Sequence, residues 1–146
     1  GFDFKSLQIV HEFDPNLGPV PVIANEVEQV LLNLLKNAAQ AIHQRDDDQE
    51  GRITLRTRLA PPWAEVQVED NGVGIPPSAL GRIFDPFFTS RLGQGGSGLG
   101  LHIVHNIIVE MLAGTIDVAS QPGQGTTFTI IIPIVTPTAA EVERNL

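Results

Sequence analysis

The sequence predicts an α/β (α+β) two-layer sandwich, in which about three helices pack on one face of a mixed, largely antiparallel sheet. Three observations predict it. Residues 53–59 and 64–70 alternate apolar and polar side chains with the period of a strand, whereas residues 27–42 repeat with the period of a helix. The order strand, helix, strand pair, long loop, helix, strand pair places strands next to each other, where a doubly wound parallel sheet would alternate strictly with helices. At 146 residues without a cysteine, the chain fits one domain whose core needs no covalent staples.

The elements follow in order. Leu7 to Phe13 reads as a strand, closed by the turn-forming run at 14–19. A helix follows from Asn25 as N-cap to His43. At about 100° of rotation per residue, Val27, Val30, Leu31, Leu34, Ala38, Ala41 and Ile42 crowd one arc, while Gln29, Asn33, Lys36, Asn37 and Gln40 share another. The charged run 45–51 is a loop. Ile53, Leu55, Thr57 and Leu59 then alternate with Arg52, Thr54, Arg56 and Arg58, and Ala64, Val66 and Val68 alternate with Glu65, Gln67 and Glu69, giving a hairpin with one wet face. Residues 71–100, rich in glycine, proline and phenylalanine, form a long irregular stretch of the kind that is functional or disordered. Leu99 to Leu112 reads as a helix, and 115–119 and 127–133 as two strands around a glycine turn. The domain is expected over 1–134, with 135–146 a tail or linker.

Nine lysines and arginines stand against seventeen acids, a formal charge of −8, which argues against a nucleic-acid partner. No apolar run is long enough to span a bilayer and no charged-then-apolar leader opens the chain. A cytoplasmic domain without direct membrane contact is expected, which an anchor elsewhere in a parent protein would not contradict.

Three stretches carry chemistry. Asn33 and Asn37 stand one helical turn apart at the edge of the apolar stripe, either as solvated amides or as oxygen donors to a hard divalent cation that keeps most of its waters. Asp70 continues the parity of Ala64, Val66 and Val68, so its carboxylate should face the core side, where it needs a partner. An N–H-bearing ligand such as a purine amine would serve, and so would a turn of its own through Asn71-Gly72-Val73-Gly74-Ile75. Third, Gly93 to Leu101 carries glycines into a helix start, which suits phosphate oxygens. Its letters match G-x-G-x-x-G at 93, 95 and 98, yet the preceding Ile83 to Leu92 is proline-broken and aromatic, so the dinucleotide fingerprint, which requires a strand there, does not apply. No P-loop sequence is present.

Taken together, Asn33-x-x-x-Asn37-Ala38, Asp70-x-Gly72-x-Gly74, Phe84-Asp85-Pro86-Phe87-Phe88, Gly98-Leu99-Gly100-Leu101 and Gly123-Gln124-Gly125-Thr126 resemble, in order and rough spacing, the N, first glycine, F, second glycine and third glycine boxes of the ATP-binding domain of sensor histidine kinases. The resemblance runs from about residue 6 to 133. It implies ATP and Mg²⁺ as ligands, with Asn37 on the Mg²⁺, Asn33 beside the phosphates, and these two as the catalytic positions. It further implies Asp70 as acceptor from the adenine amine with Gly72, Gly74 and Ile75 around the base, a lid over 88–97 carrying Thr89 and Arg91, the Gly98, Leu99, Gly100 and Leu101 amides on phosphate oxygens, and Thr126 at the adenine end. The implied partners are a dimerising helical domain of the same protein that bears the phosphoacceptor histidine, and downstream a response regulator.

Position 33 separates branches of the wider superfamily. Its ATP hydrolases carry a glutamate there to activate water, whereas asparagine is a poor base and spares ATP for the imidazole. Gln40 stands where many histidine kinases carry a cation, leaving Lys36 or Arg91 to face the phosphates. His11-Glu12-Phe13 echoes the phosphoacceptor motif, but that motif belongs on a long helix with proline five residues on, and here Pro15 comes four after in an expected strand and turn. His102 and His105 share a helix at metal-like spacing with no third ligand in view, and are read as helix-surface histidines. The rival readings are a same-fold ATP hydrolase, a serine kinase and a nonenzymatic nucleotide-responsive module.

Overall fold

A computed structural model describes residues 7–16, 24–86, 88 and 100–133, with 24 and 25 described in backbone only. Among these, five strands form one sheet in the order β1-β2-β3-β5-β4, where β1 is Leu7–Glu12, β2 Gly51–Ala60, β3 Trp63–Asp70, β4 Thr115–Gln121 and β5 Gly125–Pro133. β1 runs parallel to β2 and every other pair is antiparallel, the mixed sheet that the sequence predicts. Helix α1, Ala24–His43, and helix α3, Gly100–Asn106, pack on one face of it, and the four-residue α2, Pro77–Leu80, stands by β4.

Period-two alternation sends one side of β2, β3, β4 and β5 toward the core, while the edge strand β1 is exposed along most of its length. Register aligns Leu55, Val68, Phe128 and Val118 in one row across the sheet, and Thr57, Val66, Ile130 and Ile116 in the next. From the helical layer Val30, Leu34, Ala38 and Ile42 of α1 meet Val104, Ile107, Ile108 and Leu112, so Leu34, Val104 and Ile108 are fully buried. Truncating a fully buried leucine in such a core costs about 2–5 kcal/mol, which makes this layer the main support of the site.

Four expectations are corrected. Asn25 is not the N-cap, because the helix begins at Ala24. Thr54, assigned to the wet face of the hairpin, is buried at 3% exposure, and short enough for its neighbours to cover. The irregular stretch holds α2, which Pro76 precedes in an extended conformation at φ −61°, ψ 143° and which Pro77 opens at the first helical position. The helix from 99 to 112 is α-helical only to Asn106. Ile107–Met111 forms a π-helical turn, with Leu112 N–H donating to Ile107 O at 3.0 Å and Gly114 N–H to Ile108 O at 2.8 Å, so the extra residue turns both Ile107 and Ile108 inward.

Asp14 ties the end of β1 to β2. Its Oδ2 accepts from Leu59 N–H at 2.8 Å, its Oδ1 from Asn16 N–H at 2.9 Å, and its own N–H donates to Thr57 Oγ1 at 3.0 Å. The Leu59 bond first and the Asn16 bond second hold this carboxyl below the usual carboxylate range. A depressed folded-state value means the stabilisation is complete above the unfolded value and is lost as pH falls through the folded one. Urea unfolding of Asp14→Ala should therefore show its full deficit at neutral pH, shrinking as the pH drops below about 4.

Candidate functional site

The polar end of the core face is a third row in register: Asp70 on β3 opposite Thr126 on β5, and Thr126 opposite Ser120 on β4. Asp70 and Thr126 are 4% and 3% exposed, although the rows beside them are apolar. The inward carboxylate expected from strand parity is thus present, and β-pairing brings to it a threonine 56 residues away in sequence. Asp70 Oδ1 accepts from Gly72 N–H at 2.8 Å, the turn bond that the Asp-Asn-Gly sequence allows. A carboxylate offers about four acceptor positions, so a turn bond that sets its orientation and a ligand bond can coexist.

The segment after Asp70 is stitched between α1 and the β4–β5 hairpin. Val73 N–H donates to Ala41 O at 3.1 Å and Gly123 N–H to Val73 O at 2.8 Å. A Cβ on Gly72 would stand 2.6–2.8 Å from the backbone and Cβ of Ala41, so glycine is what lets the segment lie on the helix. A Cβ on Gly74, at φ 77°, would stand 2.2 Å from the Gln121 carbonyl oxygen. Ile75 is half-buried against the core, and its N–H donates to Ser120 Oγ at 2.7 Å. Asn71 faces away from this cluster. Its amide accepts from Arg52 N–H at 2.7 Å and donates to Glu50 O at 3.0 Å, while the Arg45 guanidinium holds its backbone carbonyl.

At the other end, Asn33 and Asn37 are half-buried on α1, with Lys36 and Gln40 exposed. The start of α3 lies beside them, since a Cβ on Gly100 would come 3.9 Å from Asn33 Oδ1. Leu101, next in the helix, is half-buried against the core. Thr89, Arg91, Gly98 and Leu99 lie outside the described residues. Among the described residues no group of three or more His, Cys, Asp or Glu side chains could hold a metal ion. Neutral amide oxygens beside a helix start fit Mg²⁺ that keeps its waters and shares phosphate oxygens, not an all-protein cage.

The α3 histidines are not merely surface residues. His102 Nδ1 lies 3.2 Å from Phe84 O and its Nε2 3.2 Å from Asn106 Nδ2, while His105 is tilted against the Phe84 ring at 5.3 Å. Phe84 in turn meets Phe128 edge-on at 6.3 Å, and Arg82 covers Phe88 at 4.9 Å, so the aromatic segment before residue 89 is anchored to α3 and the core. His11 is in β1, stacked on Phe13 at 5.2 Å, and not on a helix. Ser120 is the site residue that sequence reasoning missed. An alternation of exposed and half-buried residues does run along β4, and continuing the inward parity of Ile116 and Val118 by two would have found it.

Comparison with known proteins agrees with this geometry. Residues 23–136 match the family described as histidine kinase-, DNA gyrase B- and HSP90-like ATPases. The sensory histidine kinase/phosphatase NtrB of Vibrio alginolyticus is 39% identical over 140 residues, covering 89% of this chain and 38% of that protein. The chain therefore spans under half the length of such curated relatives. Among solved structures, the nucleotide-free catalytic domain of the histidine kinase ThkA superposes with a TM-score of 0.75 at 29% identity, covering 89% of this chain and 82% of that one. Full-length ShkA in complex with AMPPNP gives 0.77 at 27% identity, covering 92% and 27%. ThkA in complex with the response regulator protein TrrA gives 0.71 at 28%, covering 88% and 34%.

Proposed function

The chain belongs to the histidine kinase-like ATPase family, as an ATP-binding catalytic domain of the sensor histidine kinase type, and from that premise we propose that it binds Mg-ATP and delivers the γ-phosphoryl group to a histidine on a separate helical domain of its parent protein, for relay to a response regulator. The observation that carries this reading is the buried Asp70 in register with Thr126 at the end of an apolar sheet face, because a carboxylate so placed has the chemistry to accept from an adenine amine.

Each residue has a part. Asp70 and Thr126 hold the adenine end, with Gly72, Gly74 and Ile75 forming the wall that lets the base approach. Asn33 lies beside the phosphates. Asn37 holds Mg²⁺, which would neutralise charge on the triphosphate when bound. The amides of Gly98, Leu99, Gly100 and Leu101, with the positive end of the α3 dipole, take phosphate oxygens, and Thr89 and Arg91 close over them from the lid. Catalysis is then mostly positioning and charge stabilisation, with the target imidazole as nucleophile. Among the described residues no helix is long and apolar enough to cross a membrane.

Calorimetric titration with ATP, GTP and ADP, with and without Mg²⁺, tests the reading. ATP should bind, GTP should bind far more weakly, and omission of Mg²⁺ should weaken ATP more than ADP; equal binding of ATP and GTP would contradict it. An asparagine at 33 also has a kinetic consequence. Placing a base there, Asn33→Glu, is expected to raise phosphate release from ATP by about tenfold or more in a steady-state assay.

A further inference from the structure

We infer that Ser120 is a positioning residue that fixes the direction of the Thr126 hydroxyl proton, so that Thr126 meets the purine edge as an acceptor and the base site takes a 6-amino group and refuses a 6-oxo group. The inference rests on the proposed reading of Asp70 and Thr126 as the adenine end of the site.

Hydrogen counting around Ser120 Oγ leads to it. A serine hydroxyl has one proton to give and two lone pairs to receive with. Three partners surround it: Ile75 N–H at 2.7 Å, Gly125 O at 2.9 Å and Thr126 Oγ1 at 2.9 Å. The Ile75 N–H can only donate, so it takes one lone pair. The Gly125 carbonyl can only accept, so it takes the serine proton. What remains for Thr126 is the second lone pair, and that bond forms only if Thr126 gives its own proton to Ser120.

The consequence is chemical. With its proton committed, Thr126 Oγ1 offers only lone pairs, and its cross-strand neighbour Asp70 is a carboxylate that likewise only accepts. Two buried acceptors side by side suit the two N–H bonds of a 6-aminopurine. A 6-oxopurine would set its own acceptor against them and leave buried polar groups unpaired, which discriminates more strongly than any added contact. Ser120 itself need not touch the base. Held by β4–β5 register and by the segment that carries Gly74 and Ile75, it transmits the fold of the hairpin to one proton.

The test is the ratio of dissociation constants of this 146-residue chain for inosine triphosphate and ATP. Ser120→Ala frees the Thr126 proton to turn toward the base, and the ratio should fall by about three- to tenfold. Ser120→Cys, which keeps the volume but accepts weakly, should move it the same way if the alanine variant does not fold. In a Thr126→Val background, Ser120→Ala should change the ratio no further, whereas an effect exerted only through the Ile75 backbone would persist there. An unchanged ratio in both Ser120 variants while Asp70→Asn lowers it, or a full effect surviving in Thr126→Val, overturns the inference. If Asp70→Asn also leaves the ratio unmoved, the adenine-site reading fails first and takes this inference with it.

Discussion

Asp70→Asn is expected to lower the affinity of the chain for ATP by about ten- to a hundredfold, the weight of a hydrogen bond to a charged, buried acceptor. The substitution keeps the shape of the side chain, and its remaining oxygen can still accept from Gly72 N–H, which the carboxylate does at 2.8 Å. What changes is that one acceptor becomes an N–H donor, which would face the adenine amine donor to donor. Because position 70 is only 4% exposed, water cannot compensate. Asp117→Asn serves as the control, since that residue is exposed on β4, and it should leave ATP affinity unchanged. Calorimetry of both variants checks the prediction, and a matched loss in the two would contradict it.

Gly125→Ala should have the largest effect on the fold. Gly125 opens β5 at φ 117°, and a Cβ there would stand 2.0 Å from the Asp70 carbonyl oxygen and 2.9 Å from its carbon. Backbone meets backbone, so no side chain can rotate away. Left-handed φ for alanine together with overpacking amounts to a loss of about 3 kcal/mol or more, read as a lower midpoint in urea unfolding. The same displacement would shift Asp70 away from Thr126, so ATP affinity should fall in whatever fraction remains folded. Gly123 separates the two causes. It has φ 80° with nothing within 4 Å of its Cβ position, so Gly123→Ala should cost only about 1–2 kcal/mol, the backbone term alone.

Most of this site is readable from local pattern, and the remainder is not for definable reasons. Asp70 could be placed facing inward because parity along one strand decides it, and Asn33 and Asn37 because helical spacing does. The pairing of Asp70 with Thr126 and Ser120 depends on register between strands distant in sequence, which no window over one strand contains; the ordered motifs supplied Thr126, and parity along β4 could place Ser120 inward but not beside Thr126. The π-helical turn at Ile107–Met111 escaped for a similar reason. Its apolar residues fit an α-helical stripe nearly as well, and only the requirement to bury both Ile107 and Ile108 against the sheet selects the wider turn. His102 reads as a surface residue until Phe84, eighteen residues earlier, returns its carbonyl to the ring. Gly72 and Gly125 illustrate the converse. Both stand within nucleotide-binding motifs, yet a Cβ added at either would run into the protein itself, into Ala41 in one case and the Asp70 backbone in the other. These glycines shape the site by allowing close packing behind it.

Asn33 lies beside the phosphates but is too poor a base to activate water, which reserves the phosphoryl group for an imidazole on another domain. The most direct measurement incubates this chain with γ-labelled ATP and Mg²⁺ in the presence of the separately produced helical phosphoacceptor domain of the same parent protein. Label should appear on that domain, be lost on acid treatment as a phosphohistidine is, and fall by about ten- to a hundredfold when the Asp70→Asn variant replaces this chain at limiting ATP. Release of inorganic phosphate without labelled protein, or an acid-stable product, would contradict the account.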